Sequence, residues 1–129
     1  MTTEKRIEYY DNGQKKSEFE FKNGKAHGNE TWWYENGQKW GVGNWKNNRE
    51  HGKFLGWKEN GQKSLEVYYE NGIQVGKSIT WFENGQVEQI ATFNKNGELD
   101  GKNTLWNENG QIEKEAIFKD GECISGDCE

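Results

Sequence analysis

The chain has 129 residues and a formal charge of −5, with 17 basic and 22 acidic side chains spread along its length. That length fits one domain, and the balance leaves no basic patch for nucleic acid or an anionic membrane surface. Leu, Ile, Val and Phe make up under a fifth of the chain, a fraction typical of disordered sequences. Aromatics nevertheless reach 14%, with seven Trp, and large rings can build a core where aliphatics are few.

Taken in order, the chain repeats one tetrapeptide. Glu35-Asn36-Gly37-Gln38 returns at 59–62, 83–86 and 108–111, and Asp11-Asn12-Gly13-Gln14 precedes it as a near copy. The Asn residues stand at 12, 36, 60, 84 and 109, a step of 24, 24, 24 and then 25. Such a period marks a repeat architecture. A second punctuation follows about eleven residues after each first turn: Asn23-Gly24, Asn47-Asn48, Asn71-Gly72, Asn96-Gly97 and Asp120-Gly121. Asn-Gly and Asp-Gly tolerate the positive φ of tight turns, and Asn48 can adopt that conformation in place of Gly. The segments between are of strand length, too short for helices. Proline is absent, which suits uninterrupted pairing. The fold expected is all-β: an elongated antiparallel meander of about ten short strands. Its five units span 7–28, 29–52, 53–76, 77–101 and 102–126, and residues 122–129 read as a frayed tail or short cap.

The spacing assigns faces. Tyr9, Trp33, Trp57, Trp81 and Trp106 stand three residues before each Asn, with Ile7, Thr31, Leu55, Ile79 and Thr104 five before it. Eight after each first-turn Gly (Gly13, Gly37, Gly61, Gly85, Gly110) come Phe21, Trp45, Tyr69, Phe93 and Phe118, and six after it Phe19, Gly43, Val67, Ala91 and Ala116. A two-residue Asn-Gly loop would set the two aromatic rows on opposite faces. A three-residue loop, a type I turn closed by Gly in the left-handed region, shifts the pairing by one and sets both rows on one face. The three-residue loop is expected, with a shared aromatic ladder as core. Gly41 and Gly43 thin the strand before Trp45.

With the unit written as aromatic-x-Glu-Asn-Gly-Gln, a strand, then aromatic-x-Asn-Gly-x-x-x-Gly, residues 7–121 resemble the MORN-repeat variant family. Its bacterial members are often grouped as YwqK-family antitoxin-like proteins. The resemblance implies a solenoid of β-hairpins and a role in protein interaction or scaffolding. Related MORN modules are described as binding lipids or proteins.

Catalysis needs titratable groups converging in a pocket. Asp11, Glu35, Glu59, Glu83 and Glu108 instead recur at one turn position, roughly 9.5 Å apart at about 4.8 Å per strand, so they serve the turn. No catalytic residue, metal or cofactor is expected. His27 and His51 hold equivalent positions and read as exposed loop residues, too far apart for one ion. Cys123 and Cys128 read as two free or incidentally oxidised thiols; a small-loop disulfide is sterically possible and would imply an oxidising compartment. Otherwise the default is cytoplasmic: Met-Thr-Thr-Glu-Lys-Arg leads into no apolar run, although a mature exported form would read the same. No segment reaches the about 20 apolar residues of a membrane span. Trp32, Tyr34, Trp40, Tyr68 and Phe82 do not repeat, and are expected on the face opposite the aromatic rows as candidate binding residues. The expected function is non-enzymatic: recognition of another protein, antitoxin-like or as a scaffold, with self-association through edge strands or the apolar face. The alternative is carbohydrate or cell-wall binding through the same aromatics.

Overall fold

A computed structural model describes residues 2–129. Its turns explain the rest. Tyr10, Tyr34, Lys58, Phe82 and Asn107 each donate N–H to the carbonyl of the residue four ahead, at 2.8–2.9 Å, and accept N–H from the Gly three ahead, at 2.9–3.0 Å. Those bonds define a three-residue loop, and its Gly13, Gly37, Gly61, Gly85 and Gly110 all sit at φ between +86° and +91°. In the first four copies the Asn Oδ1 accepts the Gln N–H at 2.9 Å. The motif is thus a self-bonded turn, as expected.

Thirteen strands among the described residues form one open antiparallel sheet. They are β1 (Thr3–Tyr9), β2 (Lys15–Lys22), β3 (Lys25–Trp33), β4 (Lys39–Lys46), β5 (Arg49–Glu50), β6 (Gly52–Trp57), β7 (Lys63–Glu70), β8 (Ile73–Gln74), β9 (Gly76–Trp81), β10 (Val87–Phe93), β11 (Gly101–Trp106), β12 (Ile112–Lys119) and β13 (Glu122–Gly126). Neighbours follow chain order, with β5 and β8 as two-residue pieces pairing only β4 and β7. Eleven strands on the main path replace the expected ten, because residues 122–126 are not a frayed tail. They pair with β12 as a further strand.

The second turns are two-residue loops with both central φ positive, including Asn47 at +49° and Asn48 at +69°. In the fourth unit Lys95 lengthens the loop to three residues, closed by Gly97 N–H to Asn94 O at 3.0 Å. That insertion accounts for the single 25-residue step.

The faces depart from expectation. Past the pair Tyr9↔Lys15 the next is Glu8↔Ser17, which leaves Lys16 as an extra residue. Trp40, Ser64, Glu88 and Glu113 are skipped in the same way. Each hairpin therefore holds a second bulge just after the glycine turn. One slip moves a strand's side chains to the other face, and a second slip reverses the first. The two aromatic rows lie on opposite faces, not one. Face A carries Phe21, Trp45, Tyr69, Phe93 and Phe118 with Phe19, Val67, Ala91 and Ala116. Face B carries Tyr9, Trp33, Trp57, Trp81 and Trp106 with Ile7, Leu55 and Ile79.

Each face holds its own ladder. On face B, Lys15 Nζ lies 5.5 Å from the Trp33 ring centre and Lys63 Nζ 5.6 Å from that of Trp81. Along the first-turn edge, Tyr10 Oη donates to Trp33 O and Tyr34 Oη to Trp57 O, both at 2.7 Å, and Lys58 Nζ to Trp81 O at 2.9 Å. Asn12 and Asn84 Nδ2 reach the carbonyls of Glu35 and Glu108 at 3.0 and 2.9 Å. Every unit is tied to the next, as a repeat array requires. Among the described residues the sheet has no second layer, and the buried apolar side chains are only Ala26, Ala91 and Ala116.

Candidate functional site

The largest departure from the repeat lies on face A, between β2 and β7. Gly41 and Gly43 stand where side chains would otherwise project. A Cβ at Gly41 would meet Phe54 Cζ at 2.8 Å, and one at Gly43 would meet Phe54 Cδ2 at 2.7 Å and Glu30 Oε1 at 2.8 Å. The missing side chains admit the Phe54 ring and the Glu30 carboxylate. Around them Phe19 packs edge-on to Trp32 with ring centres 5.5 Å apart, and Trp32 lies 5.4 Å from Trp40. Trp45 adds to Phe19 at 6.3 Å, and Tyr34 to Trp40 at 6.5 Å. Five half-buried aromatics thus form one cluster with no layer above it.

The cluster is acidic at its base. Glu30 is only 5% exposed, and its Oε2 accepts the Trp32 Nε1 proton at 3.1 Å. Glu50, opposite Trp45 in the β4–β5 pair, has its carboxyl pushed above the ordinary range by burial and by the Glu30 charge. Tyr69 is pushed up by burial, then by Glu50 and Glu30. None of the ion pairs among the described residues includes Glu30 or Glu50. The Trp45 Nε1 is buried without a hydrogen-bond partner.

Of the five candidates read from the sequence, the structure gathers Trp32, Tyr34 and Trp40. They share face A with the Phe row and are not opposite both rows. Trp40 is one of the extra bulge residues, which turns it onto this face. Tyr68 lies apart on face B, under Lys53 at 5.6 Å and donating to Glu66 Oε2 at 3.3 Å. Phe82 holds the pre-turn position of Tyr10 and Tyr34, outside the cluster. The sequence reading missed Glu30, Glu50 and Phe54; its signal was the Gly41-x-Gly43 gap.

Two other expectations change. His27 and His51 are half-buried, not exposed. Their Nδ1 atoms accept the N–H of Asn47 and Asn71, at 3.3 and 3.4 Å, and so bind the next unit's turn. Cys123 and Cys128 are joined in a disulfide, with Cα atoms 5.6 Å apart. Both lie in the folded-back C-terminal segment, where Asp127 N–H reaches Glu115 O at 2.8 Å.

Face B carries shallow clefts at the repeat spacing. Trp57 lines one with Gln38, Lys39 and Gly61, and Trp81 lines the next with Gln62, Lys63 and Gly85. Trp106 lines another with Gln86, Val87, Ile90 and Gly110.

The model of the MORN repeat variant family matches residues 5–23, 26–47, 74–95 and 99–120, about two-thirds of the chain. Each matched stretch spans one hairpin built on the Asn-Gly turn. No curated protein matches the chain. MORN repeats are non-catalytic modules associated with protein or membrane interaction. The matched hairpins make up most of this sheet, and the chain belongs to the MORN repeat variant family.

Proposed function

We propose that this chain is a non-enzymatic module that binds another protein, antitoxin-like in capturing one dedicated partner, through the face A cluster of Trp32, Tyr34, Trp40 and Trp45. The observation that carries the reading is the uncovered aromatic cluster set over Glu30 and Glu50, neither of which has an ion-pair partner among the described residues. Trp and Tyr in such a setting form interface hot spots, and a buried carboxylate gains most from a charge-assisted partner. The matching partner surface is apolar with a Lys or Arg at its centre. The Cys123–Cys128 bridge favours an oxidising compartment for the complex over the cytoplasmic default.

The test is affinity capture from the source organism with the wild type and with Trp32→Ala and Trp40→Ala. A stoichiometric protein retained by the wild type and lost by both variants supports the reading. Equal recovery by all three sinks it. The evenly spaced Trp57, Trp81 and Trp106 clefts favour a second reading, binding of an extended glycan by ring stacking. Quenching of Trp fluorescence on glycan titration, lost in Trp57→Ala and retained in Trp32→Ala, would support that reading instead.

A further inference from the structure

Strand β1 is the N-terminal edge of the sheet, and its inner side is fully used. Asn23 N–H to Thr2 O and Tyr10 N–H to Gln14 O, both 2.9 Å, fix the alternation at its two ends. Main-chain groups of Glu4, Arg6 and Glu8 therefore turn toward β2, and those of Thr3, Lys5, Ile7 and Tyr9 turn outward. Among the described residues nothing pairs with that outer row.

The exposed edge is complementary to itself. Laid antiparallel about Ile7, it sets Ile7 against Ile7, Arg6 against Glu8, and Lys5 against Tyr9, each heteropair occurring twice. The outward residues fall in the hydrogen-bonded pairs, roughly six main-chain bonds in all. Arg6 and Glu8 fall in the non-hydrogen-bonded pairs, where opposed side chains approach most closely. Centring the axis on Lys5 or Arg6 would set like charges face to face. We infer that β1 pairs edge to edge with β1 of a second copy about a two-fold axis through Ile7. The dimer is isologous and carries faces A and B across both copies.

Two observations agree with this register. Tyr9 is 59% exposed, whereas the other members of its row are half-buried. Lys15 and Lys63 each lie over the next unit's Trp ring, and Lys5 of the second copy takes that place at Tyr9. The opposite edge is blunted. Strand β13 is bulged, Gly126 sits at φ +86°, and Asp127 bonds back to β12 through Glu115. Bulges and folded-back chain are ways of blunting an edge.

Sedimentation velocity between about 1 and about 100 μM on the full chain tests the inference, with circular dichroism to verify folding. The wild type sediments as a dimer. Ile7→Pro removes one outward N–H and no bond to β2, a change that edge strands tolerate, and gives a folded monomer. Arg6→Glu sets two like-charge pairs face to face and raises the dimer Kd about tenfold or more. The double variant R6E/E8R restores it. A wild type that stays monomeric, a dimer indifferent to Ile7→Pro, or a double variant no tighter than Arg6→Glu overturns the inference. So does a dimer lost only on reducing Cys123–Cys128, because that places the contact at the other edge.

Discussion

Position 34 allows a test with its own internal control. Tyr34 Oη donates to Trp57 O at 2.7 Å, and burial, with the Glu59 charge, pushes its phenol up from the ordinary value. The bond is short and part-buried. Tyr34→Phe keeps the ring against Trp40 and removes only the hydroxyl, which leaves the Trp57 carbonyl without this donor. A neutral hydrogen bond of this kind contributes about 1 kcal/mol. For a chain of this size that loss lowers Tm by about 3–6 °C. The fourth unit already carries the deletion: Phe82 stands where Tyr10 and Tyr34 stand, two strands from Trp106. Phe82→Tyr adds the missing donor and should raise stability by a similar amount. Repeat arrays open in parts, so hydrogen exchange resolved by peptide is the better assay. Protection should fall around residues 55–59 in Tyr34→Phe and rise around 104–108 in Phe82→Tyr. If both variants exchange like the wild type, the hydroxyl column does not couple neighbouring hairpins.

Gly43→Ala should cost about 1–3 kcal/mol in a denaturant melt, because its Cβ overlaps Phe54 and Glu30 and overpacking carries that cost; adding Phe54→Ala should make the second change cheaper than it is alone. Glu50 has a folded-state pKa above its ordinary 4.5, so the folded state binds the extra proton. The associated stability is present below that value and is lost as pH rises through the folded pKa. Melts of wild type and Glu50→Gln should therefore diverge as pH climbs from about 4 to about 7, with the variant gaining relative to wild type. The Cys123–Cys128 bond closes only a short loop, so on its reduction faster exchange should be confined to about residues 115–129, with the melting midpoint of the remaining sheet unchanged.

How much of this was legible depends on which bulge is considered. The first advertises itself, because its geometry needs positive φ and the sequence supplies Gly13, Gly37, Gly61, Gly85 and Gly110. The second does not. Its extra residue is Lys16, Trp40, Ser64, Glu88 or Glu113, none with positive φ, so any side chain serves and no composition marks it. One unmarked residue per hairpin was enough to move the Trp row to the other face. The candidate site was half-legible for a related reason. Trp32, Tyr34 and Trp40 stood out by failing to repeat. Glu30 and Glu50 looked like ordinary surface acids until the Gly41 and Gly43 gap drew one of them under the rings, and pairing across strands 20 residues apart brought them together.

The edge ladder at the first turns has a consequence for how such a chain can change length. Tyr10, Asn12, Tyr34, Lys58 and Asn84 all reach forward, and what they grasp is always a main-chain carbonyl of the following hairpin. A hairpin is thus received for its backbone shape and holds its successor with its own side chain. The joint does not depend on the identity of the incoming residues. Whole hairpins can be duplicated, deleted or exchanged without rewriting either neighbour, and divergence such as Lys58 for Tyr is absorbed one joint at a time.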